Sequence, residues 1–312
     1  MALLRDSADD LRALIATTAE HLEMPEVFVE KDYWVTELLR SVSAPVDDAL
    51  VVFKGGTSLS KAARMIRRFS EDVDILLVME PPGAGKGATD RALKEISARA
   101  AVNLGLTEER VTSSTGVHRT TSYSYEALYP PGPTATAVKL EMGTRGGQHP
   151  WSYHDLRSYI AEDRPDLTVE TFDEMEPVRV RVLAPERTLV EKLSLLHSVS
   201  VGFPVTEAYL LKAGRHLYDV GRVLENSDVL DALAALDVPA LCDEIEEVSA
   251  AEFGITTKRP EGGFAKSPVW NPDAPCADAV EEAYSLIDGL LLEPKPALHD
   301  IRERVRSHAD LL

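Results

Sequence analysis

Cysteine is nearly absent from this chain. Cys242 and Cys276 are its only two, and neither lies in a CxxC or histidine-rich spacing, which excludes a zinc knuckle and a disulfide framework. Long hydrophobic runs are missing as well: nothing approaches the roughly 18 apolar residues a membrane-spanning helix needs. The opening MALLRDSADDLRALI meets aspartate too early to supply the apolar core of a signal peptide. These absences predict a protein of the reducing cytoplasm with no membrane segment. Positive charge is also in short supply, with 33 lysines and arginines against 52 acids and a formal net charge of -19. General affinity for a polyanion is therefore not expected, because phosphates are met by lysine and arginine.

What is present reads as a folded protein, with 44% hydrophobic and 27% charged residues. The length suits two lobes. One basic stretch stands out on the acidic background: Lys54, Lys61, Arg64, Arg67 and Arg68 follow one another with no acid between them. A nucleic acid, if one binds, is expected there.

Apolar periodicity predicts helices over 5–23 and 27–42. ALVVFKGG then reads as a buried strand closed by a glycine turn, and TSLSKAARMIRRF as a helix capped by Thr57 or Ser58. Lys61, Arg64 and Arg68 share the polar face of that helix. VDILLVM is a second strand, stopped by Pro81-Pro82. A helix over about 88–103, a strand near SYSYEAL and the strand ATAVKLEMG complete the first lobe. On ATAVKLEMG, Val138, Leu140 and Met142 face one way, and Lys139 and Glu141 the other. Beyond an acidic stretch around 161–180 the pattern turns helical. The expected fold is α+β, with a mixed-sheet α/β lobe over 1–155 and a mainly helical lobe over 156–312. PPGAGKGAT resembles a phosphate-binding loop, but Gly87 stands where Ser or Thr is required, so it reads as a mobile connection. KRPEGGFAKSPVWNPDAP reads as a loop. His118, His197 and His216 lack companions at ligand spacing and read as packing or surface residues.

The segment that carries chemistry is FKGGTSLSKAARMIRRFSEDVDILLV. Side chains alternate along a strand, so Asp72 and Asp74 project from one face while Val73 and Ile75 enter the core. Two carboxylates held side by side repel unless a cation lies between them, which suggests Mg²⁺ or Mn²⁺. The Gly55-Gly56 turn offers backbone N–H groups to a phosphate nearby. Metal on one side and phosphate on the other describe phosphoryl transfer.

With these residues in view, the segment resembles the signature of the nucleotidyltransferase-fold toxins of the AbiEii/AbiGii family, MenT proteins among them: a GGT turn, a basic segment, then RFSEDVD running into an apolar strand. EKDYWVTELL, VKLEMG, ERTLVEKL and RHLYDVGRVL extend the resemblance over most of 30–225. The last third matches no motif of the family. The resemblance implies a nucleotidyltransferase (EC 2.7.7 type) with a nucleoside triphosphate as substrate. It places metal on Asp72, Asp74 and Glu141, and the triphosphate near Lys54, Gly55, Gly56, Thr57, Ser58, Ser70, Lys139 and Lys192. Glu141 is a third acid that ligates metal or accepts a proton. Lys192 and Asp219 match functional positions of the second lobe, and Ser70 a serine phosphorylated for control in relatives. From the residues alone, Lys192 also reads as a surface lysine and Asp219 as the helical partner of Arg215 or Arg222.

The resemblance further implies a toxin of a toxin–antitoxin or phage-defence (abortive-infection) pair. Its acceptor would be the 3′ end of tRNA, translation would be blocked, and a cognate antitoxin would be encoded nearby. RNA phosphates would meet Lys61, Arg64, Arg67 and Arg68. Two other readings remain open: transfer to a protein or small-molecule hydroxyl, and a nucleotide-binding module without turnover.

Overall fold

In the computed structural model the described residues are 2–44, 46, 49–70, 72–80, 83–130, 136–144, 146–253 and 257–312, with side chains left out over 248–253. They form two compact units, one of residues 1–62 and 69–183 and the other of 63–68 and 184–312.

The first unit is built on a mixed sheet, which counts seven strands among the described residues: β1 (Ala49–Lys54), β2 (Asp72–Met79), β3 (Thr107–Ser114), β4 (His118–Ser124), β5 (Ala137–Gly143), β6 (Trp151–Leu156) and β7 (Val178–Leu183). Their order across the sheet is β3-β4-β5-β2-β1-β7-β6. β1 runs antiparallel to β2 and parallel to β7, and β2 runs parallel to β5.

One face of the sheet is apolar because alternate residues are. Phe53, Val73, Ile75, Leu77, Val138, Leu140, Met142, Val180 and Val182 are buried there in one core with residues of α1 (Ala8–Leu22), α2 (Glu26–Ser43) and α4 (Lys86–Leu104). Each such side chain contributes about 1.5–3 kcal/mol by leaving water. The expected pattern on β5 is the one observed, with Lys139 and Glu141 half-buried between buried neighbours.

Ser7 caps α1 by accepting from the Asp10 N–H. α2 is unusual in burying charge. Glu30 accepts from the Leu128 N–H at 2.7 Å, and Lys31 donates to the Ala137 carbonyl. Asp32 accepts from Lys61 Nζ at 2.6 Å and from the Tyr159 N–H at 2.7 Å, at the start of α5 (Tyr159–Asp163). The EKD of this helix therefore ties loops to the core.

The second unit is helical: α6 (Pro185–Val201), α7 (Glu207–Lys212), α8 (Gly214–Val223), α9 (Ser227–Ala235), α10 (Val238–Phe253), α11 (Ala277–Ser285) and α12 (Leu298–Ser307). α8 and α11 come so close that a Cβ at Gly214 would lie 2.0 Å from the Ala283 carbonyl oxygen, so only glycine fits. The 258–275 stretch, expected as a loop, holds two 3-10 turns whose Phe264, Val269 and Trp270 are buried. Among the described residues no helix is long and apolar enough to cross a membrane.

Several expectations are corrected. The helix after the glycine turn, α3, spans Gly55–Lys61 rather than reaching Phe69, and Arg64 adopts a positive φ of 54°. The lobe boundary expected at 155/156 falls inside β6, and the sheet unit continues through β7 to Leu183. β3, β6 and β7 were not expected. The helical pattern of EAYLLKAGRHLYDVGRVLE, residues 207–225, is divided at Ala213 into α7 and α8. GKGAT is not a mobile connection, since Gly85 is the N-cap of α4 and Lys86 its first residue. The predicted stop at Pro81-Pro82 lies outside the described residues.

Candidate active site

β1 and β2 are antiparallel, and their register pairs Lys54 with Asp74. β2 and β5 pair Asp72 with Lys139 and Asp74 with Glu141. Partners across a ladder project to the same face, so Lys54, Asp72, Asp74, Lys139 and Glu141 all stand on the face opposite the apolar core. The residues that sequence reasoning expected together on one side of β2 and β5 are thus brought together.

Lys139 sits among the acids. Its ammonium lies 3.5 Å from Asp72 Oδ1 and in direct contact with Glu141. Partial burial works to lower its pKa, but the hydrogen bond to Glu141 and the Asp72 charge outweigh it, and the pKa is raised above the ordinary lysine value. The side chains of Lys139 and Glu141 are each 38% exposed and that of Asp72 is 19% exposed, so the cluster is open to a charged ligand.

Gly55 is fixed by this cluster. Its φ is +79°, and a Cβ there would fall 2.1 Å from Asp74 Oδ2. The backbone turn is pressed against a carboxylate, which no L side chain permits. Gly146 approaches from the loop after β5, where an added Cβ would lie 3.9 Å from Lys54 Nζ.

Gly56, Thr57 and Ser58 are buried at the start of α3. The Thr57 hydroxyl donates to the Asp72 carbonyl and lies 2.8 Å from Ser70 Oγ, and Ser58 Oγ donates to the Gly55 carbonyl at 2.8 Å. These hydroxyls lock the turn to β2.

Asp72, Asp74 and Glu141 share a face but are not closed into a three-carboxylate cluster: no group of three or more His, Cys, Asp or Glu placed to hold a metal ion occurs among the described residues. The Lys139 ammonium stands between two of them. The donor set, paired carboxylates on one strand with a third on the next, suits a hard divalent cation. The pressed Gly55 turn keeps Asp74 beside that space.

The basic patch does not form a helix face. Lys61 is 6% exposed at its side chain and pairs with Asp32. Arg68 is buried and belongs to the second unit, where its guanidinium meets the Asp219 carboxylate twice, at 2.6 and 2.8 Å. Arg64 and Arg67 are exposed.

Lys192 and Asp219 are brought together in that second unit. Lys192 Nζ lies 2.9 Å from Asp219 Oδ2 and donates to His216 Nδ1 at 3.1 Å. Burial works to raise the Asp219 pKa, yet the Arg68 and Lys192 charges overcome it and hold the carboxyl far below the usual range. Burial and the adjacent Lys192 push the His216 imidazole well below its ordinary value, which keeps it neutral. Lys192 is therefore not a surface lysine. Asp219 pairs with Arg68 and Lys192 rather than with Arg222, which meets Glu225 and Glu293. His197 is buried against the Phe264 ring, as a packing residue. Sequence reasoning missed Asp32 and the Arg68–Asp219 pair, and neither has a local signal, because the partners are 29 and 151 residues away.

No curated protein matches the chain. Two solved structures are similar to it in part: a candidate nucleotidyltransferase from H. pylori, at 15% identity and a TM-score of 0.49 over 92% of this chain and 95% of that one, and JHP933 from Helicobacter pylori, at 12% identity and a TM-score of 0.39 over 92% and 96%. A family model described as nucleotidyl transferase AbiEii toxin, type IV toxin–antitoxin system, matches residues 37–272, most of the chain and both units. This stretch contains the Gly55 turn, the Asp72 and Asp74 pair, and Lys192 with Asp219, and the chain belongs to the AbiEii nucleotidyltransferase toxin family.

Proposed function

We propose that this protein is a metal-dependent nucleotidyltransferase (EC 2.7.7 type) that moves a nucleoside monophosphate from a nucleoside triphosphate onto an acceptor hydroxyl. The observation that carries the reading is the pairing of Asp72 and Asp74 on one face of β2 with Gly55 pressed against Asp74. Family membership supports the same chemistry. Asp72 and Asp74, with Glu141 beside them, would hold Mg²⁺ or Mn²⁺, which supplies charge neutralisation to the triphosphate.

The protein's own residues do the rest. Lys54 and Lys139 stand on the same face and attract the phosphates. Glu141 accepts the proton of the acceptor hydroxyl, whose oxygen forms a new bond to the α-phosphorus as the bond to the leaving pyrophosphate breaks. The acceptor proposed from the family resemblance is the 3′ end of tRNA, modified in the cytoplasm so that translation stops, with an antitoxin encoded nearby to restrain the activity. Regulation through Ser70 fits its place beside Thr57.

A second acceptor class, a hydroxyl of a protein or small molecule, is favoured by one observation. Lys61 and Arg68, two of the four cations expected to meet RNA phosphates, are buried in ion pairs.

Each α-³²P-labelled nucleoside triphosphate, incubated with the protein, Mg²⁺ or Mn²⁺, and total RNA or total protein, distinguishes these. Label in tRNA that disappears with a chelator and in Asp72→Asn is the expected result. Label that persists in Asp72→Asn, or a growth effect that survives Asp72→Ala, would overturn the enzyme reading.

A further inference from the structure

The carboxylate face of the sheet continues beyond β1 to an edge of different chemistry. Val52 shares its face with Lys54, two residues on, and pairs with Arg181 on β7. Arg181 pairs with Tyr153 on β6, and Leu183 with Trp151. Trp151, Tyr153, Arg179 and Arg181 therefore stand on the same face as Asp72 and Asp74, within one unit. With strands spaced about 4.8 Å apart, they lie roughly 10–15 Å across the sheet from β2.

These residues form a ladder of rings and guanidinium groups. Trp151 and Tyr153 meet edge to face at 5.3 Å. The Arg181 guanidinium lies 5.3 Å from the Trp151 ring centre and 5.1 Å from that of Tyr153, and Arg179 lies 4.7 Å from Tyr153. His149 stacks on Trp151 at 6.5 Å. Among the described residues Asp155, 4.0 Å from Arg179, is the one carboxylate that opposes the positive charge. On a chain of net charge -19 this is a local concentration of cation and aromatic surface. Trp151 anchors it, packed on Val52, Leu76 and Leu183, while Tyr153 is 45% exposed and the Arg179 side chain 66%. The Arg181 Nε is buried without a hydrogen-bond partner among the described residues. Structural salt bridging does not account for two guanidinium groups laid on rings with one carboxylate nearby.

We propose that this ladder is the seat of the acceptor: a single-stranded nucleic acid end whose bases stack on Tyr153 and Arg179 and whose phosphates meet Arg181, while its terminal hydroxyl reaches Asp72 and Asp74. Rings with arginines are the chemistry that holds unpaired bases without reading their sequence. The separation from β2 is one that a short stretch of extended strand spans. The inference rests on the nucleotidyltransferase reading for the direction of the strand, but not for its binding.

The test is fluorescence anisotropy with a fluorescein-labelled adenosine RNA octamer, together with quenching of the tryptophan emission. The wild-type protein is expected to bind with quenching. Tyr153→Ala and Arg179→Ala, both at exposed positions, should each raise the Kd at least ~5-fold from the usual worth of stacking on one base, with unchanged melting temperature. Tyr153→Phe should bind as the wild type does, because the ring is kept. Asp72→Asn should retain octamer affinity, so loss of the transfer reading shows as absent label with binding intact. Unchanged affinity in Tyr153→Ala and Arg179→Ala, or an oligoglutamate peptide competing as strongly as the octamer, overturns the proposal.

Discussion

The two charged clusters of this protein use similar residues to opposite ends. On the sheet of the first unit, Asp72, Lys139 and Glu141 are partly exposed, and the Lys139 ammonium meets both Asp72 and Glu141. In the second unit, Asp219 is wholly buried between Arg68 and Lys192, and each oxygen has a cation within 3 Å. Partly exposed acids can meet a further cation from solvent, whereas the buried group has its charges matched already. The first arrangement is suited to a ligand, and the second to fixing α6, α8 and the Arg68 segment in one unit.

Neutralising the open cluster should produce the largest change. Asp74→Asn is expected to reduce nucleotide incorporation at least ~10³-fold, about 4 kcal/mol, with a melting temperature close to wild type. A variant with full incorporation would show that the exposed acids are not the working ones. Asp219→Ala should do the reverse and act first on stability. It leaves Arg68 and Lys192 buried without their carboxylate, at a cost of about 3 kcal/mol or more, measured by urea unfolding.

The same residue sets a pH dependence. Because the folded carboxyl is held below its unfolded value, its stabilisation is present above the unfolded range near pH 4 and is lost as pH falls through the folded pKa. Acid unfolding of the wild type should steepen below about pH 4, and Asp219→Asn should remove that component. Superimposable acid profiles for the two would argue against the matched-charge account.

Gly55→Ala lies between the two effects. The left-handed backbone costs an alanine about 1–2 kcal/mol, and its Cβ displaces Asp74, so incorporation should fall further than stability does. The smallest change belongs to Lys139→Gln. A partly exposed pair contributes less than about 1 kcal/mol to folding, so unfolding curves should nearly coincide, while the metal concentration for half-maximal incorporation shifts downward.

Much of the first unit was readable because its signals are local. The apolar alternation of β2 paired Asp72 with Asp74, that of β5 paired Lys139 with Glu141, and the family resemblance joined Glu141 to the aspartates; the register of β2 on β5 puts all four on one face. Other parts carry little local signal or a misleading one. β3 is exposed along almost its whole length, so no hydrophobic pattern marks it. β7, VRVRVL, alternates cleanly, but it is a short run between an acidic stretch and a long helical pattern. The helix predicted over 57–69 has the right periodicity in Leu59, Ala62, Ala63 and Ile66. It is broken because Arg68 bonds Asp219, 151 residues away, and a tertiary pair of that kind overrides propensity. The same pair explains why Arg68 read as a surface cation and Asp219 as a helical partner. Ionic partners distant in sequence leave no spacing to find.

That six-residue excursion also bears on how the protein can be cut and recombined. The chain passes from one unit to the other after Ala62, after Arg68 and after Leu183. A fragment ending at Leu183 would carry Arg68 away from the carboxylate that neutralises it, and the complementary piece would keep Asp219 beside a single lysine. No one scission separates the sheet from the helices with both intact, so domain exchange between relatives would need a graft of 63–68 along with everything after 183.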